Sequence, residues 1–253
     1  MSNWKTRARA AGIHLGISLL VAGGAAWLVF GIWFPPPYNE ISGGRELFTL
    51  VVAVDVVLGP LITFVVFDLR KPLRERVLDL SLVGLIQLGA LAYGLWSVHM
   101  ARPVHLVFEF DRFRVVHMVD VPEELLPRAP AALQALPLTG PTPLAVRPFR
   151  DANEKAEATL AAIAGLPLAA RPDLWQDYAA ARVRVLQAAR PLASLRERFA
   201  GQAGLIEQAV VATGRPEAQL FYLPMVSRKA TAWTVLVDAG TALPVAYLPL
   251  DSF

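Results

Sequence analysis

The stretch LFTLVVAVDVVLGPLITFVVF, residues 47–67, decides how this chain is read. It is a long apolar run with a single charged side chain, Asp55, near its middle. Wound as an α-helix at 1.5 Å per residue, it spans roughly 30 Å, the hydrocarbon thickness of a bilayer. Two runs of similar length flank it, Ile13–Phe34 and Leu78–Val98. One such run can be a core helix of a soluble protein; three in succession imply three transmembrane helices. The first run is too long for the apolar core of a cleaved signal peptide, and no clear small-residue cleavage site follows Phe34.

Composition agrees with lipid as the solvent of part of the chain. The 253 residues are 55% hydrophobic, with a mean hydropathy of +0.45. The pI of about 9.4 invites a nucleic-acid reading. However, residues 102–253 hold 16 Lys and Arg against 15 Asp and Glu, while residues 1–101 hold 8 against 6. The basic excess of the membrane part sits in two short flanks, where it acts as a topology signal rather than a phosphate-binding patch. Lys5, Arg7 and Arg9 precede the first run, and Arg70, Lys71, Arg74 and Arg76 fill the second loop. The first loop offers only Arg45 against Glu40 and Glu46. Cationic flanks stay inside, so the amino terminus and second loop are expected in the cytoplasm and, after three crossings, residues 102–253 outside it. Trp4, Trp27, Trp33, Tyr38, Tyr93 and Trp96 lie mostly near run ends, as interfacial anchors do.

Two domains are therefore expected: a three-helix transmembrane domain over residues 1–101, with spans 13–34, 47–67 and 78–98, and a periplasmic α+β domain over residues 102–253. The second opens on β-forming residues, Val104–Phe110 and Phe113–Val119, joined at Asp111 and Arg112 as a hairpin. Pro122–Pro148 holds seven prolines and reads as an irregular connection. Helices are expected over 151–164, 172–189 and 191–213, with Asp151 and Asp173 near their starts and Gly165 and Gly214 at ends. Strands at 220–227, 232–238 and 243–248 close the chain, giving an antiparallel sheet packed against helices.

Chemistry is sparse. The absence of cysteine excludes disulfides, Cys-ligated zinc, iron–sulfur centres and a thiol nucleophile. His14, His99, His105 and His117 match no familiar zinc spacing, and Glu109, Asp111 and Glu123 read as solvated charges around a hairpin turn. No Walker loop, dinucleotide fingerprint, Gly-x-Ser-x-Gly or His-Glu-x-x-His is found. No catalytic, cofactor-binding or metal residues are expected. Asp55 stands out: a charged carboxylate at the centre of a membrane helix costs about 2.5–3.5 kcal/mol on insertion scales, so it requires a partner or a proton. Either it is satisfied inside the three-helix bundle, with His14, Ser18 and Gln87 as candidate partners, or it meets another protein's helix. Gly59 and Pro60 follow within a turn, one permitting close helix approach and the other kinking the helix. Gly23, Gly24, Gly84, Gly89 and Gly94 are further candidates for helix contact.

Gly12-Ile13-His14-Leu15, Trp33-Phe34-Pro35, Val54-Asp55-Val56-Val57-Leu58-Gly59-Pro60-Leu61 and Ala101-Arg102-Pro103-Val104 together resemble the type IV pilin accessory proteins TfpX and TfpZ. The resemblance continues through Asp111-Arg112-Phe113 and Gly165-Leu166-Pro167 to Tyr247-Leu248-Pro249-Leu250-Asp251, covering essentially the whole chain. It implies an inner-membrane accessory factor that works with a cognate type IV major pilin, and with the pilus assembly machinery, to support pilin stability or assembly into fibres. It implies no catalytic residues. On this reading Asp55, Gly59 and Pro60 contact the pilin's membrane helix. The alternative is a subunit of a membrane enzyme or transporter using Asp55 or the histidines; a ligand sensor would want a cytoplasmic output domain, which the inward-facing segments do not supply.

Overall fold

The computed structural model describes residues 3–227 and 232–253. The chain divides into two compact units, Met1–Arg102 and Pro103–Phe253.

The first unit holds three helices long and apolar enough to cross a membrane: Trp4–Trp33, Gly44–Val66 and Leu73–Met100. Each starts before its apolar run, because the polar residues ahead of the runs, such as Lys5, Arg7 and Arg9 before the first, are good helix formers that simply extend it beyond the hydrocarbon. The first helix ends in a widened turn, Val29–Trp33, where the Phe34 N–H reaches back to the Val29 carbonyl at 2.7 Å. Pro35, Pro36 and Pro37 then stop it. The unit is inside-out relative to a soluble bundle. On the second helix the inward residues are Phe48, Asp55, Gly59 and Thr63, while Val57, Leu58, Leu61, Ile62 and Val65 are exposed. An apolar surface of this kind is stable only against lipid. Arg7 pairs with Asp68 at 3.3 Å, which puts the basic amino-terminal flank and the second loop at the same end of the unit.

The second unit is an α+β fold around an eight-stranded sheet. Its strands are β1 Pro103–Glu109, β2 Arg112–His117, β3 Thr142–Val146, β4 Trp175–Asp177, β5 Arg190–Pro191, β6 Leu220–Val226, β7 Ala232–Asp238 and β8 Pro244–Leu248. The order is β4-β3-β1-β2-β6-β7-β8, with β5 paired to β6. Most ladders are antiparallel, but β1 runs parallel to β3 and β2 parallel to β6, so the sheet is mixed rather than wholly antiparallel. Both parallel pairs join strands separated by long connections, which is what a parallel ladder requires. β1 is buried along its whole length.

The expected hairpin forms one residue earlier than the spacing indicated, turning at Phe110, which takes a left-handed φ of 62°. The proline-rich connection holds the strand β3. The helix expected over 172–189 is broken: a 3-10 turn at Pro172–Leu174 leads into β4, and α-helix is confined to Arg182–Ala188. Trp175 explains the break, since its ring is 1% exposed and its Nε1 donates to the Ala169 carbonyl at 2.8 Å, a position served by an extended backbone paired to β3. The helix expected over 191–213 is two, Leu192–Arg198 and Ala203–Thr213, interrupted around Gly201. The helix Ala152–Ile163 matches its caps: Asp151 accepts from the Glu154 N–H at 2.8 Å, and Glu154 accepts from the Arg150 N–H at 2.7 Å. Arg147 grips the same carboxylate and holds it well below the ordinary glutamate range.

Among the described residues one apolar cluster joins Val107, Leu144, Ala158 and Trp175, and another joins Leu195, Ile206, Leu220, Leu236 and Leu248. His105 lies beside the first, edge-on to Trp175 at 4.7 Å, with Nδ1 2.8 Å from the Thr142 hydroxyl. Burial disfavours the charged imidazole and pushes His105 from 6.5 down to about 4. An unfolded chain therefore takes up a proton near pH 6.5 that the folded unit refuses until about pH 4. The neutral ring's contribution is intact above that window and lost as pH falls through it. Chemical denaturation of the detergent-solubilised chain is expected to show about 3 kcal/mol of stability lost from this group between those pH values. His105→Gln is expected to flatten that part of the profile.

Candidate functional site

Asp55 sits in a second widened turn, Val54–Leu58, directly before Gly59 and Pro60. The local sequence explains the turn. Proline at position 60 has no N–H, and its ring would crowd the Val56 carbonyl in a regular α-helix; widening the preceding turn relieves the clash. In a turn of that width the donor to the Asp55 carbonyl would be residue 60 itself, which cannot donate. Gln87 on the third helix supplies the missing bond, its Nε2 lying 3.3 Å from the Asp55 backbone oxygen. Gly59 makes room for it. A Cβ built there would lie 1.9 Å from Gln87 Nε2, so only glycine admits the amide in this position.

The predicted site residues therefore divide. Gly59 is buried against the chain's own Gln87, and Pro60 is half-buried and shapes the turn. Asp55 is 8% exposed, and its carboxyl makes no hydrogen bond with any described residue; Oδ1 is fully enclosed without a partner. Of the candidate partners, Gln87 reaches the Asp55 backbone rather than its carboxyl. His14 turns instead to Thr63, with Nδ1 2.5 Å from the hydroxyl. Ser18 is buried and lines the same cleft.

That cleft, about 220 Å³, is floored by Val52 and Asp55 and walled by the first helix at His14, Ser18 and Val21 and by the third at Gly84, Gln87 and Leu91. The first and third helices both flank the second and come together at one end, where Trp33 packs edge-on to His99 at 4.8 Å. Asp55 also borders a second space, of about 230 Å³, beside Val51, Tyr93 and Gly94. Sequence reasoning singled out Asp55 from its position. It missed the His14–Thr63 pair and the role of Gln87 on a backbone carbonyl, since neither has a sequence signal beyond a lone polar residue in an apolar run.

The second unit gathers charge without gathering chemistry. Arg128, Arg147 and Arg150 border a pocket of about 550 Å³ with Asp173 and Trp175, but Glu154 engages both Arg147 and Arg150 at 2.7 Å. Glu109, expected in solvent, is buried: it accepts from the Ala169 N–H at 3.2 Å and from Arg114 at 3.1 Å. His117 is buried with Nδ1 3.1 Å from Asp120. Among the described residues no three His, Asp or Glu side chains come together as a metal site.

The arrangement is that of a three-helix membrane anchor with an unspent polar group, carrying a folded α+β unit. Comparison with known proteins identifies the group to which it belongs. The fimbrial assembly protein FimB family matches residues 2–43. The fimbrial assembly protein of serogroup I from Dichelobacter nodosus is 36% identical over 247 residues, covering 97% of this chain and 96% of that protein. Its serogroup E1 counterpart is 36% identical over 251 residues, with the same coverage of each chain. The protein of serogroups C1 and C2 is 43% identical over 122 residues, covering 48% of this chain and 93% of its own length. The chain belongs to the family of fimbrial assembly proteins. No solved structure matches it.

The glycines separate into those already used and those left open. A Cβ at Gly94 would meet both methyl groups of Val51 at 2.8 Å, whereas a Cβ at Gly23 or Gly84 would meet nothing within 4 Å. Gly94→Ala is expected to lower the thermal stability of the purified chain, by about 1–3 kcal/mol for an overpacked contact with a stiff β-branched neighbour. Gly59→Ala, whose clash falls on the mobile end of Gln87, is expected to cost less, and Gly23→Ala and Gly84→Ala are expected to leave the melting temperature unchanged.

Proposed function

We propose that this protein is an inner-membrane accessory factor of the TfpX/TfpZ type, which binds a cognate type IV major pilin and supports its stability or assembly in a chaperone-like, non-enzymatic way. Kinship with fimbrial assembly proteins over nearly the full chain carries this reading. The cationic flanks support an amino terminus and second loop in the cytoplasm, with the Pro103–Phe253 unit in the periplasm. A pilin subunit with an apolar helix in the bilayer and a globular head outside it would find a matching layer in each unit. The unpaired carboxyl of Asp55 supports the membrane half of that contact. The absence of sequence motifs for catalysis supports a role in binding rather than turnover.

Deleting the gene is expected to reduce surface pili and the steady-state level of the cognate pilin, and the tagged full chain is expected to bring down that pilin from detergent extracts. A periplasm-dependent reporter fused after Phe253 should be active. Normal piliation in the deletion strain, or recovery of an unrelated membrane complex in place of pilin, would overturn the assignment.

A further inference from the structure

We infer that the cleft floored by Asp55 is the seat of a fourth transmembrane helix, supplied by a partner that carries a hydrogen-bond donor or cation at the depth of Asp55. The proposal takes the pilin reading for the partner's identity only; the cleft and its chemistry stand on the geometry of the membrane unit.

Three observations meet here. The first is Asp55 itself, a residue 8% exposed that borders the cleft and whose carboxyl has no hydrogen bond to any described residue. A lone carboxyl at membrane depth is costly, and an acyl chain filling the cleft supplies no donor. Of the chain's other polar groups lining the cleft, Gln87 is engaged on a backbone carbonyl and His14 on Thr63, and the Ser18 hydroxyl does not bond the carboxyl. The second is the wall. Helices associate in lipid through small residues that let backbones approach, and the glycines used internally, Gly59 and Gly94, are already filled by Gln87 and Val51. Gly84, on the cleft wall, faces open space. The third is the third helix as a whole, where only Val83 and Val98 are buried along the length from Leu73 to Met100. A membrane helix so lightly packed has room for another neighbour. Complementarity then names the occupant: an apolar helix with one donor opposite Asp55. A second copy of this chain would bring another carboxyl to the same depth and does not fit.

The test uses the full-length chain in cells that make the cognate pilin. A photo-activated benzophenone amino acid replaces Leu88 on the cleft wall or, as a control, Leu61, which is 56% exposed on the lipid side. The expected result is a pilin adduct, mapped to its membrane helix, that forms from Leu88 and not from Leu61. Asp55→Leu is expected to reduce it by about threefold to thirtyfold, the range that one hydrogen bond between membrane helices supplies. Gly84→Leu, at a position where a Cβ meets nothing within 4 Å, fills part of the cleft and is expected to block the adduct; abundance and melting temperature are measured alongside and are expected to stay intact, so the test does not depend on the Asp55 variant folding. Asp55→Asn separates the two donor types: a neutral donor is expected to tolerate it, a cation is not. If pilin co-purifies yet the Leu88 adduct is absent, forms with a second copy, or is indifferent to both Asp55→Leu and Gly84→Leu, the cleft is not the seat and the pilin-binding reading survives alone. If pilin is never recovered but another membrane helix is captured in the same Asp55-dependent way, the cleft stands and the pilin reading falls. No capture and no pilin removes both.

Discussion

A bilayer offers no hydrogen bond to anything placed in it, and the membrane unit is organised by that refusal. Every polar group carried into the hydrocarbon has to find its partner within its own helix or on a neighbouring one, or remain a standing cost. The consequences run from one residue to the next along the second helix. Proline at position 60 withholds an N–H, the turn ahead of it widens, the Asp55 carbonyl is left without its usual donor, and Gln87 crosses from the third helix to supply one. That crossing needs the empty space of Gly59. His14 and Thr63 solve the same problem between the first and second helices at 2.5 Å. The helices are thus held by a few polar contacts, close glycine packing and the van der Waals fit of a buried cluster around Val29, Phe34, Phe48 and Val98, without the hydrophobic drive that water supplies to a soluble core.

Against that background the carboxyl of Asp55 is conspicuous, and the residues that carry the resemblance to pilin accessory proteins sharpen the contrast. Outside the membrane they have structural explanations. Arg112 folds back on Asp111 with two hydrogen bonds at 2.7 and 3.0 Å beside the hairpin turn. Gly165 takes a φ of 101° past the end of the helix Ala152–Ile163, a conformation that disfavours any side chain. Leu248 and Leu250 enter the second apolar cluster, and Thr234 donates to the Leu250 carbonyl at 2.8 Å, tying down the end of the chain. Phe34 is fully buried, and the space for its ring is left by Gly44. These residues build the fold; the Asp55 carboxyl has no hydrogen-bond partner among the described residues.

How much of this was legible in the sequence follows from which forces act locally. Lipid solvation acts on whole stretches of chain, so hydropathy located the three helices and misplaced only their polar ends, where helix propensity continues past the membrane boundary. The hairpin of β1 and β2 was legible because its strands are contiguous and rich in β-forming residues. β3 was not, since Pro141 and Pro143 stand where a strand is least expected. Pro143 lies opposite Leu106 of β1 and before the start of the β4 ladder at Leu144, so it has a paired strand on one side only. β4 was read as helix for the opposite reason: the Ala- and Arg-rich residues after it are good helix formers, and what overrides them is a distant contact, the Trp175 ring in the core with its N–H on Ala169. The same holds at the site, where position along the run marked Asp55 but only the folded unit distinguishes an open carboxyl from an occupied glycine.

The second unit differs in how its charge is distributed, and this bears on what each layer can contribute to an assembly. Its arginines are largely neutralised at home: Arg147 and Arg150 on Glu154, Arg171 on Asp173 at 2.7 Å, and Arg196 on both Glu207 and Glu217. Pairs of this kind on a folded surface contribute little to stability individually and leave no strong field to attract a distant partner. On the proposed reading, recognition by this unit has to come from shape and short-range contact, which act only once two surfaces are already close. An intramembrane carboxyl has a different reach. Lipid does not screen it as salt water does, and a donor on a second helix has only the two dimensions of the bilayer to search. On the proposed reading docking in the membrane comes first, and the soluble surfaces are brought together afterwards at the high local concentration that a shared anchor provides.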